Sequence, residues 1–425
     1  MKTDTRPTTA TTAEKLAEWK AHWPLVLAAS AGFSFYSVAT YSTGLFMEPL
    51  QKAFGWNRST VTSGLSIAAI AALPLSPFVG VLIDRWGSRR LAIPSLILTA
   101  LVMAGFGLVN GTLPMWYALW AAYAIIALGI KATVWTAAIS SVFTASRGLA
   151  LGLVMSGTAV AQILALPIVR WLIDTWGWRQ GYIWISLGWA TPALILVMLF
   201  LFDAHDINKR TARVAGKPAA AVAPLSGLTV QQALRSPSLW KIGIASFLTM
   251  FFGVAALIHQ VPIMTEAGLT RTRAAELASL AGFAGIAGKL VTGWLMDRMH
   301  AARISGITLG LAAMAFGLLL EPVRSPVTIV IAMMIIGYSG GAKLQIGAYL
   351  TGRYGGLRNF GKIYGVITSL VGLAVALGPL LASRAFDIAG DYSPFLIAAI
   401  PGSLISGLLI FSLGPYPTQA DVQKA

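Results

Sequence analysis

Twelve long apolar runs dominate this chain of 425 residues and decide what it can fold into. Each run contains a window of ~20 residues, the length at which an α-helix crosses the ~30 Å hydrocarbon core of a bilayer. In lipid only helices and closed barrels satisfy their own backbone groups, and continuous apolar runs of this length favour helices. With 11% charged residues, the chain also lacks the charge of a soluble surface. The sequence predicts an all-α membrane protein with spans near 22–50, 61–83, 91–110, 114–143, 148–172, 181–202, 240–264, 275–297, 304–321, 326–350, 362–386 and 393–414.

A short motif at the end of the second run returns later in the chain. Segment 80–85 (GVLIDR) and segment 293–298 (GWLMDR) are 213 positions apart, and Pro49 and Pro262 share this offset. Two copies with six spans each keep the same orientation, which predicts two parallel six-helix halves related by an axis along the membrane normal. The predicted organisation is a tail (1–21), a first half (22–202), a linker (203–239), a second half (240–414) and a second tail (415–425).

The net charge of +16 is unevenly distributed. If the N-terminus is cytoplasmic, 20 of the 31 Lys and Arg residues fall in cytoplasmic segments and eight fall in outside loops. This bias sets the orientation of membrane proteins, so the basic balance predicts that both termini are cytoplasmic and does not indicate a nucleic-acid partner. We expect a multi-pass protein of the cell (inner) membrane, surrounded by the lipid bilayer and functional as a monomer.

The loop after the second span carries a signature. Residues 80–90 read Gly-x-Leu-x-Asp-Arg-x-Gly-x-Arg-Arg, and on this motif the chain resembles the major facilitator superfamily over essentially its whole length. It is more narrowly similar to the monocarboxylate-porter group, which includes oxalate:formate antiporters and bacterial organic-acid carriers. The resemblance implies the twelve-helix major facilitator fold, with a central site between the halves. The strings that carry the narrower similarity are 44–59, 147–153 (RGLALGL), 259–262 (HQVP) and 288–293 (GKLVTG).

Three lysines lie inside predicted spans, namely Lys131, Lys289 and Lys343. Lys343 is ten residues before Arg353, about 15 Å along a helix, which is too far for its side chain to reach water. A charge at that depth costs at least ~2.5–3.5 kcal/mol unless it faces a wet cavity or a partner, and no carboxylate of the chain falls at mid-depth. An anion, as substrate or counter-substrate, would supply the missing charge. The alternative is a lysine neutralised by burial or held by backbone carbonyls.

Lys131 and Lys343 are also near repeat-equivalent, since they are 212 positions apart. We therefore expect them on opposing sides of one central cavity. The resemblance gives Lys289 a separate role, because members of the group have an essential arginine in span 8, four residues before the glycine that opens the loop signature. Lys289 occupies this position before Gly293. Lysine keeps the charge but loses the bidentate geometry of arginine.

The coupling acid of the group is missing from the chain. Proton-coupled members have an aspartate one helical turn before the span 8 arginine, where this chain has Gly285. His259 and Glu48 are then the candidates for proton coupling, together with the lysines themselves; His259 can titrate near neutral pH, and a structural role is its alternative.

The two Asp-Arg loops predict a gate. By resemblance, their side chains pair with each other and with neighbouring helix ends at the cytoplasmic face, latch the outward-open state and separate on inward opening. A basic loop that sets topology is a compatible interpretation. The predicted gating residues are Asp84, Arg85, Gly87, Arg89, Arg90, Asp297, Arg298 and Arg303.

Polar and aromatic residues of the cavity-lining spans complete the candidate site. Trp135 is one turn from Lys131 and so on the same helix face. For each aromatic residue, packing or a place in the interfacial belt is the alternative. The predicted substrate-binding residues are Lys289, Lys131, Lys343, Trp135, Tyr36, Tyr41, Thr40, Tyr338, Gln162 and Gln345.

These features predict a secondary active transporter that moves an organic anion by rocker-switch alternating access. The cargo is a mono- or dicarboxylate, with aromatic acids included, and proton symport and anion exchange both stay open. A multidrug or cation efflux antiporter is the first alternative, disfavoured because Pro167 lacks the glycines of an antiporter motif. A non-transporting ligand sensor is the second. No nucleotide-binding loop, catalytic triad or metal-ligand cluster indicates an enzyme, and we expect no cofactor or metal.

Overall fold

A computed structural model describes residues 11–56, 58–203, 206 and 227–416, without the side chains of some helical positions, including Thr40, Glu48 and Gln162. The described backbone is almost entirely helical. The helices are α1 (Thr12–Phe54), α2 (Arg58–Trp86), α3 (Ser88–Gly105), α4 (Leu113–Ile126), α5 (Ala132–Val142), α6 (Arg147–Phe200), α7 (Val230–Arg235), α8 (Pro237–Glu266), α9 (Arg271–Met296), α10 (Ala301–Leu318), α11 (Pro326–Tyr354), α12 (Phe360–Ala389) and α13 (Ser393–Phe411).

The described helices form twelve membrane spans. Ten segments are long and apolar enough to cross a bilayer, and α9 adds a shorter apolar stretch, Leu280–Met296. Helix α6 contains two spans, because its 54 residues change direction at Gly177, where φ is 78°. Helices α4 and α5 form one span with a 3₁₀ turn, Ala127–Ile130, between them. The six spans of each half follow each other along the chain as predicted.

Large apolar side chains are exposed along the outside of the bundle. Phe78 of α2 is 65% exposed, and Ile388 near the end of α12 is 80% exposed. A soluble protein would avoid such a surface, whereas lipid tails cover it without cost. The exposed apolar surface therefore agrees with the membrane location predicted from the hydrophobic runs.

The first helix starts before its predicted span. Helix α1 begins at Thr12, where Thr11 and Glu14 form a capping box, so part of the segment predicted as a tail is helical. The capping box satisfies two backbone N–H groups that the first turn leaves unpaired, which explains why the helix begins there. Most of the predicted linker, 207–226, lies outside the described residues.

The two halves meet along two symmetric pairs of helices. Helix α2 packs against α12, and α9 packs against the first part of α6. In each pair two glycines let the backbones approach closely, since a Cβ atom added to Gly80 would overlap the carbonyl of Gly361, and one added to Gly148 would overlap the carbonyl of Gly293. Each pair is the repeat counterpart of the other at the offset of 213. Small residues of this kind permit tight helix contact in membranes.

Candidate functional site

A carboxylate holds the halves together at the face where α2 and α9 end, which we call the basic face. Asp84, near the end of α2, accepts hydrogen bonds from the backbone N–H groups of Gly361 and Lys362, at 2.8 and 3.0 Å. Both donors lie in the first turn of α12. N–H groups there have no partner within the helix and form the positive end of its dipole, so they favour a carboxylate. The contact joins the first half to the second.

The second half makes the same contact in reverse. Asp297, just after α9, accepts N–H bonds from Gly148 and Leu149 in the first turn of α6, at 2.7 and 2.9 Å. Burial raises the pKa of Asp297 to about 6, while these two bonds and the nearby Lys15 and Arg147 act to lower it. The two contacts are related by the repeat offset, so one geometry closes the basic face twice.

The signature arginines do not contact the two carboxylates among the described interactions. Arg89 donates to the carbonyl of Met198 at 2.6 Å and lies over the ring of Phe202, and Arg298 lies over the ring of Trp294 at 3.9 Å. We expected the aspartates to pair both with arginines and with helix ends, and the structure shows only the second kind of contact. Arg85, Arg90 and Arg303 are exposed at the same face.

Gly87 is required by the turn between α2 and α3. Its φ of 84° lies in the left-handed region, and an added Cβ atom would lie 2.6 Å from an oxygen of Asp203. That oxygen accepts the backbone N–H of Ser88 at 2.8 Å, which caps α3. Gly87 therefore gives the loop its shape, and its role in gating stays a prediction.

Helix α1 adds a third contact at the basic face. The carboxylate of Glu18 accepts the backbone N–H bonds of Thr144, Ala145 and Ser146, at 2.6, 3.1 and 2.7 Å. The ammonium of Lys15 donates to the carbonyl of Asp297 at 3.3 Å, which connects α1 to the second half. Of these bonds, the one from Lys15 joins the two halves, whereas Glu18 and its three donors all belong to the first half.

At mid-depth, a hydrogen bond of Lys289 crosses between the halves. Its ammonium, on α9, donates to the hydroxyl of Thr158 on α6 at 2.9 Å. The side-chain amide of Gln345, on α11, donates to the backbone carbonyl of Lys289 at 2.6 Å. Gln345 is fully buried, and its side-chain oxygen has no hydrogen-bond partner in the described part of the chain. Lys289 therefore lies at the contact of the two halves, with a neutral partner.

Lys131 and Lys343 each lie against the first helix of their own half. Lys131 ends the 3₁₀ turn before α5, and its ammonium is 5.9 Å from the ring centre of Tyr36 on α1. Lys343 lines two cavities inside the second half, both of which include Thr249 of α8. Tyr36 and Thr249 are repeat counterparts at the offset of 213. The two lysines thus take similar places in their halves, and their position on opposing sides of one central cavity stays a prediction.

These spans, contacts and repeats are those of a known fold. A model of the Major Facilitator Superfamily matches residues 27–379 and 263–425 of the chain. The chain belongs to the major facilitator superfamily. The resemblance inferred from residues 80–90 is confirmed, and the sequence is that of a carrier and not of an enzyme.

Members of the superfamily that resemble this chain include transporters of organic acids. Monocarboxylate transporter 11 of Homo sapiens is 26% identical over 431 residues, which cover 95% of this chain and 86% of that transporter. The gallate transporter of Pseudomonas putida is 24% identical over 385 residues, 80% of this chain and 83% of that one. The crystal structure of the human organic anion transporter MFSD10 (TETRAN) has a TM-score of 0.67 at 16% identity and covers 91% of this chain and 99% of its own. This structural likeness confirms the all-α major facilitator fold of two six-helix halves.

In this major facilitator, Trp135 is not placed to contact a substrate. The side chain is fully buried, its indole N–H donates to the carbonyl of Ile130 at 2.8 Å, and its ring packs on Gly32 of α1. In this conformation Trp135 has no exposed surface for a substrate, and its role in substrate binding stays a prediction. Tight packing of the ring against a glycine took the side chain into the interior of the first half.

The remaining predicted residues fall into three groups. Tyr36 and Tyr41 on α1 are half-buried, with Tyr36 stacked on Phe33 at a ring separation of 6.2 Å. Tyr338 accepts a hydrogen bond from the hydroxyl of Thr292 at 3.2 Å. Roles of these three in substrate binding stay predictions. The side chains of Thr40, Gln162 and Glu48 lie outside the described residues.

His259 joins three helices at the face opposite the basic face. Its Nε2 lies 3.2 Å from the carbonyl of Pro379 and 3.3 Å from the hydroxyl of Ser383, both on α12. Its Nδ1 lies 3.0 Å from the hydroxyl of Tyr392, next to the start of α13. Tyr392 in turn donates its backbone N–H to the carboxylate of Glu266 at 3.2 Å. This network fixes the outer ends of three helices, and proton coupling through His259 stays a prediction.

Two residues of these contacts were absent from the sequence prediction. Thr158 is 131 positions from Lys289, and only the packing of α6 on α9 brings them together. Glu18 was assigned to a tail, although the helix that carries it contacts the loop before α6. The four charged residues within 14–20 are also typical of a free tail, so they gave no signal for the contact of Glu18.

Proposed function

We propose that this carrier is a secondary active transporter of organic anions that uses Lys289 as a carboxylate ligand. The supporting observation is the environment of the Lys289 ammonium at the contact of the two halves. Its described partner is the hydroxyl of Thr158, and no carboxylate among the described residues pairs with Lys289, Lys131 or Lys343. A charge-assisted bond to a carboxylate is stronger than a bond to a hydroxyl, so an incoming carboxylate replaces Thr158.

The relatives support the same class of cargo. Transporters named for monocarboxylates and for gallate, an aromatic acid, resemble the chain along at least 80% of its length. The half-buried ring of Tyr36 beside Lys131 supplies an aromatic surface next to a cation. We propose that the cargo is a small carboxylate and that aromatic acids are included.

The charge bias and the closed contacts define a working cycle. We place both termini in the cytoplasm of a cell with this protein in its inner membrane, so the basic face is the cytoplasmic face. The contacts of Asp84, Asp297 and Lys15 between the halves then close the cytoplasmic side, and the site opens outward. The bound carboxylate balances the charge of the Lys289 ammonium and breaks its bond to Thr158. Loss of this bond loosens the contact between the two halves at mid-depth. The carboxylate contacts then separate, and the halves rock to release the anion inward.

Coupling follows one of two routes in this scheme. In anion exchange, the two halves return to the outward-open conformation with a second carboxylate bound. If the site were empty during this return, the Lys289 ammonium would have no partner. In proton symport, a side chain carries the proton together with the anion, and His259, Glu48 and the lysines are the candidates. The two routes differ in their response to a pH gradient.

Uptake by purified carrier in liposomes tests the function. A panel of radiolabelled mono- and dicarboxylates, aliphatic and aromatic, is offered to vesicles that are empty, loaded with the same acid, or held under an inward proton gradient. We expect saturable uptake of at least one acid and stimulation by either the internal acid or the gradient. Uptake of organic cations with exclusion of every acid would instead support an efflux antiporter. Binding of an acid without counterflow would support a non-transporting sensor.

A further inference from the structure

A short segment between the halves is fastened to the basic face. Gly227 forms a backbone bridge with Gly356, and the backbone N–H of Leu228 donates to the carbonyl of Gly355 at 2.9 Å. The side chain of Asn359 donates to the carbonyl of Leu228 at 2.9 Å. These bonds hold α7 beside the first turns of α8 and α12.

Helix α7 has an apolar side that the protein does not cover. Its start is fixed by a capping box between Thr229 and Gln232, while Val230 and Leu234 are 37% and 52% exposed. Trp240, at the start of α8, is 46% exposed, and its indole N–H donates to the carbonyl of Leu234 at 2.8 Å. A tryptophan with this amphipathic placement is typical of a membrane interface.

These elements line a groove between α7, α8 and α12. The wall on α12 extends from Lys362 to Leu370, which is about 12 Å along the helix. Gly243 of α8 keeps the groove open, because a Cβ atom there would already lie 3.2 Å from a methyl group of Leu370. Apart from Lys362, the residues that line the groove are uncharged. The groove is thus apolar along its length and basic at one end.

Two cations belong to the helices that form the groove. The backbone N–H of Lys362 is bonded to Asp84, and the Asp84 carboxylate also attracts the Lys362 ammonium, for which no hydrogen bond is among the described contacts. Arg235 is exposed at the end of α7, next to Leu234 in the wall. Lys241 nearby is directed elsewhere, since its ammonium donates to the carbonyl and hydroxyl of Ser412 at 3.1 Å. A lysine in the lining of an apolar groove and an exposed arginine on the adjoining helix complement one anionic head group and one acyl chain.

We propose that this groove binds an anionic phospholipid, with its phosphate on Lys362 and Arg235 and an acyl chain along the wall from Trp240 to Leu370. Basic pockets between helices at the cytoplasmic side suit anionic lipid head groups, and the inner leaflet supplies them. The assignment to that leaflet rests on the proposed orientation. A bound lipid would connect α7 to the first turn of α12, the turn that Asp84 holds in the closed basic face.

Native mass spectrometry of the purified full chain tests the site without a transport substrate. The protein is incubated with equal amounts of phosphatidylglycerol and phosphatidylcholine of the same acyl chains, and the retained lipids are counted. We expect the native chain to retain phosphatidylglycerol in preference. A cation near the membrane surface contributes about fivefold in affinity, so R235Q and K362Q should each lower phosphatidylglycerol retention by about that factor.

Two further variants separate this groove from general charge attraction. K20Q removes an equally exposed cation on α1, away from the groove, and should retain lipid as the native chain does. V366W fills the groove without a change of charge and should lose phosphatidylglycerol. Equal retention of both lipids by the native chain would overturn the proposal, as would a loss in K20Q as large as in R235Q. If K362Q fails to fold because of its closeness to Asp84, R235Q and V366W still decide the question.

Discussion

Asp84 and Asp297 cap helices of opposite halves with the same geometry. Each lies at or just beyond the end of one helix and accepts two backbone N–H bonds, at 2.7 to 3.0 Å, from the first turn of a helix in the other half. The four donors and two acceptors interchange under the repeat offset of 213. A single duplicated contact therefore stabilises the closed basic face, and its loss on either side should have a similar effect.

Removal of the acceptor should loosen the helix start that it caps. D84A leaves the N–H groups of Gly361 and Lys362 without a partner, which costs about 0.5–2 kcal/mol as for other helix caps. D297A should do the same to Gly148 and Leu149. We expect faster amide hydrogen exchange at these positions. Asparagine also caps helices well, so D84N and D297N should stay largely protected. Unchanged exchange in D84A would show that the carboxylate does not hold α12.

The closed face should respond to pH through Asp297. Burial raises its pKa from an ordinary 3.8 to about 6 in the closed conformation, and exposure to water on opening should return it toward the ordinary value. The closed conformation then binds the proton more tightly. The proton on Asp297 therefore stabilises the closed conformation. This stabilisation is fully present below the ordinary pKa of the carboxyl group and is lost as pH rises through about 6. Amide exchange at Gly148 and Leu149, measured between pH 4 and 7 and corrected for intrinsic rates, should follow this course.

The control for this pH effect is D297N, which has no titrating group at the position. Its exchange at Gly148 should depend less on pH over the same range. An identical pH profile in D297N would assign the effect to another group.

The Lys289–Thr158 bond should stabilise the empty carrier more than the loaded one. T158V removes the hydroxyl but keeps the shape, and a hydrogen bond to a charged group contributes about 1.5–3 kcal/mol. Since the anion takes over this partner, T158V should lower the melting temperature of the empty protein and enlarge the shift that a transported acid produces. T158S should behave as the native chain. Equal destabilisation of empty and loaded T158V would mean that the anion does not displace Thr158.

Close approach of α2 and α12 should depend on Gly80. The added Cβ atom of G80A would overlap the carbonyl of Gly361, and overpacking of this kind costs about 1–3 kcal/mol. We expect a lower melting temperature and reduced uptake at unchanged membrane insertion. G188A is the matched control, since no atom lies within 4 Å of a Cβ atom built at that helical glycine. Equal melting temperatures of G80A and G188A would contradict the tight contact.

The repeat predicted much of this arrangement. An offset read from residues 80–85 and 293–298 predicted the paired halves, and the symmetric positions of Lys131 and Lys343 beside Tyr36 and Thr249 follow from it. Hydrophobic runs predicted the spans because lipid imposes a strong constraint on helix length. These are properties that a one-dimensional pattern contains.

The contacts between helices could not be predicted in the same way. One-turn spacing placed Trp135 on the face of Lys131, but the fit of its ring against Gly32 decided where the side chain points. The partner of Lys289 depends on the rotation of α6 against α9, which no local pattern records. The break of span 4 at Lys131, where a 3₁₀ turn precedes α5, also differs from the single helix expected over 114–143.

Uptake of a transported acid by variants of Lys289 tests whether this side chain binds the carboxylate of the cargo. K289A should lower uptake at least tenfold at normal membrane insertion, because loss of one partner of a buried charge pair costs about 2–5 kcal/mol. K289R should keep substantial uptake, since it preserves the charge and is the residue that the resemblance to the monocarboxylate-porter group implies at this position. K20A, which removes an exposed lysine at the basic face, should transport as the native chain does. Uptake by K289A equal to that of the native chain would show that Lys289 is not the carboxylate ligand.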